Sequence, residues 1–157
     1  MMKKLLGILL IISLFLSGCF QEKITQEKTI PVREYYKDGN LKIKGNNLEK
    51  TGKKHGVWTY YFENGELENI GSFNHGRREG EWKRYRSNGK LMVISYYKGG
   101  FAEGEWKWYY KNGELESIGF YKDGNRDGEW KTYKENGMFR RTEHWQDGQL
   151  IKTEYPK

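Results

Sequence analysis

GEWKWYYKNGELESIGFYKDG, residues 104–124, carries three Trp or Phe and three Tyr between a glycine at each end, with two more glycines inside. Nearly the same text begins at Gly80 (GEWKRYRSNGKLMVISYYKGG) and at Gly128 (GEWKTYKENGMFRRTEHWQDG). Gly56, Gly80, Gly104 and Gly128 follow one another at 24 residues, and Trp58, Trp82, Trp106 and Trp130 keep that spacing. So do the Asn-Gly pairs that end in Gly65, Gly89, Gly113 and Gly137. A fixed period without insertion marks a repeat architecture, in which each unit buries its apolar side against its neighbours. A partial earlier copy starts at Tyr35, with two extra residues before Gly52, which makes about four and a half units.

Each unit contains two β signals. Asn-Gly between runs rich in Trp, Tyr, Leu and Ile is a hairpin cue, because a type I′ turn needs positive φ at both central residues. The second connection, as in YKDGNRDGEW, reads as a longer turn joining one hairpin to the next. The fold expected is therefore all-β, a single-layer antiparallel meander of repeated hairpins. A turn at Asn64-Gly65 sets Phe62 opposite Leu67, Tyr60 opposite Asn69 and Trp58 opposite Gly71. An indole beside a cross-strand glycine covers bare backbone, which gives the Trp58/Gly71 and Trp106/Gly119 pairs a packing role. Ser95 and Glu143 take the glycine place in the second and fourth units, where packing should be looser.

Alternation along the strands puts Trp58, Tyr60, Phe62, Phe73, Trp82, Tyr97, Trp106, Trp108, Tyr110 and Tyr121 on one aromatic face. The opposite face is mixed, with Glu81-Lys83, Glu105-Lys107 and Glu129-Lys131 beside Tyr85, Tyr109 and Tyr133. The four repeat tryptophans read as core. Trp108, Tyr110, Tyr60 and Phe62 are different, because other units place Arg, Thr or Lys in their register, so the fold does not demand aromatics there. These four are the candidate binding residues, a platform for a partner.

The pattern GEWxxYxxNGxLxxxGxYxxG resembles the MORN-repeat variant found in many bacterial proteins, over roughly Tyr35 to Tyr155. The resemblance implies a curved single-layer meander built from hairpins. It also brings an antitoxin or immunity role into view, since some bacterial chains with such repeats carry that label.

Residues 1–18 stand apart. MMKK is a basic n-region, LLGILLIISLF an apolar h-region shorter than the ~20 residues that span a bilayer, and Leu16-Ser17-Gly18-Cys19 resembles a lipobox. That resemblance implies cleavage between Gly18 and Cys19 and lipidation of Cys19, the only cysteine, which would anchor the chain in the membrane of a bacterial cell envelope, inner or outer. Each buried methylene of such a lipid contributes about 0.8 kcal/mol, and two chains hold a protein stably. Residues 19–33 read as a polar tether and 34–157 as the repeat domain. Loss of Lys3 and Lys4 with the leader lowers the formal charge from +7 to +5.

The chemistry of enzymes is missing from this text. His55, His75 and His144 lie at no helical or hairpin metal-ligand spacing, so no metal and no cofactor are expected. The recurrent Glu residues each have a Lys two positions on, which favours ion pairing over a catalytic carboxylate pair. No nucleophile has a base beside it, and the glycines belong to β-turns rather than phosphate loops. Mild basicity with aromatics also suits single-strand nucleic-acid binding, but an exported chain argues against that partner. A protein partner is expected, with an envelope glycan or wall polymer, or a purely structural spacer, as the alternatives.

Overall fold

A computed structural model describes residues 27–157. The leader, the cleavage site at Gly18 and Cys19 lie outside the described residues. Every regular element described is a strand: β1 (Thr29–Tyr35), β2 (Leu41–Leu48), β3 (Lys54–Tyr61), β4 (Leu67–Asn74), β5 (Arg77–Tyr85), β6 (Leu91–Lys98), β7 (Phe101–Ala102), β8 (Gly104–Tyr109), β9 (Leu115–Lys122), β10 (Asn125–Tyr133), β11 (Phe139–Gln146) and β12 (Gln149–Glu154). They form one open sheet in chain order, entirely antiparallel, and β7 and β8 are one strand interrupted at Glu103. The meander expected from the repeat is the meander observed. Among the described residues no helix is long and apolar enough to cross a membrane.

Residues 29–33, read as tether, belong to β1, where Thr29 through Arg33 pair with Leu48 through Lys44. Hydrophobic alternation is weak in TIPVR, which is why the strand was not legible. Pro31 is tolerated because β1 is an edge strand.

The two turn types are exchanged relative to expectation. At the Asn-Gly sites only the glycine has positive φ, +85° at Gly65. Gly65 N–H donates to Phe62 O and Phe62 N–H to Glu66 O, a type I turn closed by a left-handed glycine. This longer loop moves the register, so Tyr61, not Phe62, pairs with Leu67, while Tyr60/Asn69 and Trp58/Gly71 pair as expected. Asparagine is used here for its side chain. Asn64 Oδ1 accepts from Glu66 N–H at 3.1 Å, and its Nδ2 donates to Ser87 O in the next unit's turn at 2.8 Å. The two-residue turns with positive φ at both positions are the other set: His75-Gly76, Gly99-Gly100, Asp123-Gly124 and Asp147-Gly148.

Successive units are joined across a bulge. Gly71 pairs with Trp82 but Ser72 pairs with Glu79, so Gly80 and Glu81 are extra on β5, and Gly80 takes φ +69° to allow it. The same two-residue step occurs between β2 and β3 and between β9 and β10. An even insertion preserves alternation, so the faces carry through from unit to unit; the one-residue shifts at the Asn-Gly ends lie at the strand limits and leave Phe62 and Tyr110 outside the alternating ladder.

The core is the tryptophan column. Trp58, Trp82 and Trp130 are 2%, 5% and 2% exposed. Each indole lies on the glycine of the preceding unit: a Cβ at Gly45, Gly71 or Gly119 would fall 2.2–2.3 Å from Trp58, Trp82 or Trp130. The expected Trp106/Gly119 contact is thus corrected, since Gly119 carries the indole of Trp130, although Trp106 does pair with Gly119 in register. Each indole N–H then donates 3.1 Å to the next carbonyl, as Trp82 Nε1 does to Ser72 O. The bulge aims the ring backwards along the array.

Candidate functional site

The aromatic face is a continuous ladder. Trp58, Phe73 and Trp82 meet edge to face at 6.1 and 5.0 Å; Tyr97 links Trp82 to Trp106 at 6.4 and 5.3 Å; Tyr121 links Trp106 to Trp130 at 4.7 and 5.2 Å. Such pairs contribute about 0.5–1.5 kcal/mol each beyond area burial.

Three of the four indoles also carry a cation on their outer side. Lys54 Nζ lies 4.3 Å from the Trp58 ring, the Arg78 guanidinium 4.6 Å from Trp82, and the Arg126 guanidinium 4.0 Å from Trp130. These cations occupy one register, at 24-residue spacing, and the third unit has Ala102 there. The third unit also rests on Ser95 where the others rest on glycine, and Ser95 is itself buried, its hydroxyl donating to Trp82 O at 3.3 Å. Trp106 is accordingly the one repeat tryptophan that is only half-buried. A serine Cβ cannot fit beneath a flat indole at the glycine separation, and an alanine side chain cannot cover the ring from above.

Trp108 stands beside it, 5.4 Å from Trp106 and 5.2 Å from Trp130. Val93, Trp108, Trp106, Tyr97, Trp82 and Arg78 line a cleft on this face, where β6 and β8 pair at only two positions, Val93/Trp108 and Ile94/Lys107. The cleft has what a partner needs: half-exposed aromatic area and a cation at its rim.

The four residues singled out from the sequence do not converge. Trp108 lines the cleft. Tyr60 is in the ladder two units away, between Trp58 and Trp82, with its hydroxyl accepting from Lys54 Nζ at 2.8 Å. Phe62 and Tyr110 lie outside the strands, in the Asn-Gly turns of different hairpins. Tyr110 has a packing role, because its hydroxyl donates to Tyr133 O at 2.8 Å, and Arg86 NH2 donates likewise to Tyr109 O at 2.7 Å. Trp106, Tyr97 and Tyr121 were not expected in the site. The signal was present in Ala102 and Ser95, two departures from consensus that flank one tryptophan.

The reverse face carries the expected ion pairs: Lys83–Glu81 at 2.8 Å, Lys107–Glu105 at 2.6 Å and Lys131–Glu129 at 3.2 Å. The Lys83 ammonium, and behind it the Tyr96 hydroxyl at 2.7 Å, hold the Glu81 carboxyl below the ordinary carboxylate range. The hydrogen bond to Glu81 raises Tyr96 and Lys83, and Glu105 raises Lys107 in the same way. At the C-terminal end Glu143 is buried and bound by Arg141 at 2.6 Å and by Trp145 Nε1 at 3.1 Å. The histidines, which share no ligand spacing along the chain, are not all apart in space: the His55 and His75 rings meet at 5.4 Å.

Comparison with curated proteins returns no match. The MORN repeat variant model matches five segments, residues 28–46, 54–75, 78–98, 102–123 and 126–147, so the half unit counted from Tyr35 is a full repeat. Repeats of this kind often act as protein- or membrane-interaction modules, and their all-β architecture is one of binding and structure. With more than half of its residues matched, in five successive units, this chain belongs to the MORN repeat variant family.

Proposed function

We propose that this protein is a lipoprotein of the bacterial cell envelope, anchored through Cys19, whose repeat domain binds another protein and performs no catalysis. The observation that carries the reading is the uncovered Trp106. Where the other units set Lys54, Arg78 or Arg126 over the indole, the third offers a bare ring between Tyr97, Trp108 and Tyr121. A partner that lays an Arg or Lys side chain on Trp106 completes the pattern that the rest of the array completes internally. Such a contact contributes about 0.5–2 kcal/mol, and aromatic burial around it more. An immunity- or antitoxin-like role, in which the partner is a toxic protein, fits the family.

The test is an in-cell photo-cross-link from position 84, an exposed residue that lines the same cleft, compared between chains without and with Ala102→Arg. A defined protein captured by the first and lost in the second supports the reading. Sedimentation with purified wall polymer would favour a glycan ligand instead, and unchanged capture in Ala102→Arg would refute the role of Trp106.

A further inference from the structure

The β3–β4 unit departs from the later ones at two positions at once. In the register of His55 the later units carry Glu79, Glu103 and Asp127, and in that of His75 they carry Gly99, Asp123 and Asp147. The acid holds the next two-residue turn, since Glu79 Oε2 accepts from Gly99 N–H at 2.8 Å and Glu103 Oε2 from Asp123 N–H at 3.0 Å. Replacing both partners by histidine gives up that bond and sets two imidazoles edge to face.

A third group joins them. Glu27, just before β1, places Oε1 3.0 Å from His75 Nε2. One ligand atom from each of Glu27, His55 and His75 lies within 4.8 Å of the other two. Ligands at about 2.0–2.1 Å from a tetrahedral ion stand roughly 3.3 Å apart, so a small closure of partly exposed side chains suffices. His75 Nδ1 is 2.6 Å from Asn74 Oδ1, and in the tautomer with its proton on Nδ1 this oxygen accepts it while Nε2 turns a lone pair toward an ion shared with Glu27. That is the arrangement in which an outer carbonyl orients a metal-binding imidazole. His55 Nδ1 is shut off from solvent and meets no hydrogen-bond partner among the described residues. The backbone at His75, φ +51°, is held by the turn.

We propose that Glu27, His55 and His75 bind a divalent transition-metal ion of the zinc class. Two imidazoles and one carboxylate suit such an ion better than calcium or magnesium, and three protein ligands leave a coordination position open. The ion clamps the start of the sheet, before β1, to the turn between β4 and β5. It thereby stiffens the point where the domain leaves the preceding segment.

The test uses the full chain carrying Cys19→Ser, so that its single thiol does not compete, titrated with zinc ion alone. Saturable binding of about one ion per chain, with a melting temperature that rises with zinc and falls back in chelator, is expected. His75→Asn keeps a residue that tolerates the left-handed turn, and His55→Gln keeps similar bulk. Each should weaken binding about tenfold or more with the chelator-treated melting temperature unchanged. Should either variant unfold, Glu27→Gln, outside the sheet, is read instead and should weaken binding likewise. No saturable binding up to about 100 μM zinc, a weak affinity on any scale, or equal affinity in the folded variants, overturns the proposal.

Discussion

The backbone of Gly71 lies directly beneath the indole of Trp82, so close that a Cβ there would fall 2.2 Å from the ring. Gly119 stands in the same relation to Trp130. Neither glycine has positive φ, so their role is clearance alone. Gly119→Ala should therefore destabilise the domain by about 1–3 kcal/mol through overpacking. Ser95→Ala, at a site that already holds a Cβ, should cost under about 1 kcal/mol. Chemical denaturation of the two variants checks the difference.

Covering Trp106 should be neutral for the fold. Ala102→Arg restores the residue type of the second and fourth units, and a stacked guanidinium contributes about 0.5–1 kcal/mol at an exposed site. Melting temperature should hold or rise slightly while acrylamide quenching of tryptophan emission falls. A marked loss of stability would show that Ala102 is required for packing.

Tyr110 and Trp108 separate in their effects. Tyr110→Phe removes the hydroxyl that donates to Tyr133 O and should cost about 0.5–1.5 kcal/mol. Trp108→Thr takes the fourth unit's residue but deletes three ladder contacts, so a loss of about 1–3 kcal/mol is expected rather than neutrality. Partner binding should fall with Trp108→Thr and stay unchanged with Tyr110→Phe.

Glu81 makes stability depend on acid. Its folded-state carboxyl is held low, chiefly by Lys83, so its contribution is present above the unfolded carboxylate pKa of about 4.3 and is lost as pH falls through the lower folded value. The side chains are more than a third exposed, so the effect should stay under about 1 kcal/mol. Urea midpoints at pH 7 and pH 3 should differ less for Glu81→Gln than for the native chain.

The anchor has its own test. Cys19→Ser should abolish incorporation of a fatty-acid analogue and release the chain from the membrane fraction, or leave it unprocessed. Label retained by the Ser variant would refute lipidation at this residue.

The fold was legible because the 24-residue period and strict alternation each point to one answer, and the even bulge leaves that alternation intact. Two features resisted reading. Asn-Gly suits a type I′ turn locally, yet Asn64 here serves a bond to Ser87 O in the next unit, a partner visible only once the sheet exists. The direction in which each indole lies was also hidden, because Trp58 is paired with Gly71 in register while resting on Gly45. The binding candidates were chosen for being aromatic where consensus is polar. Ala102, which is small where consensus is cationic, was the more telling departure.

Glu143 takes the glycine place opposite Trp130. Because every ring leans on the unit before it, the stack has a direction, and a further indole at this position would be received best by glycine, as Trp58, Trp82 and Trp130 are. Glu143 instead fills that berth with a carboxylate bound to Arg141 and Trp145, close to Arg126 at 3.7 Å. Replacing it by glycine, with Arg141 made neutral, would open a splice point, where a duplicated 24-residue segment could dock without redesign of what precedes it.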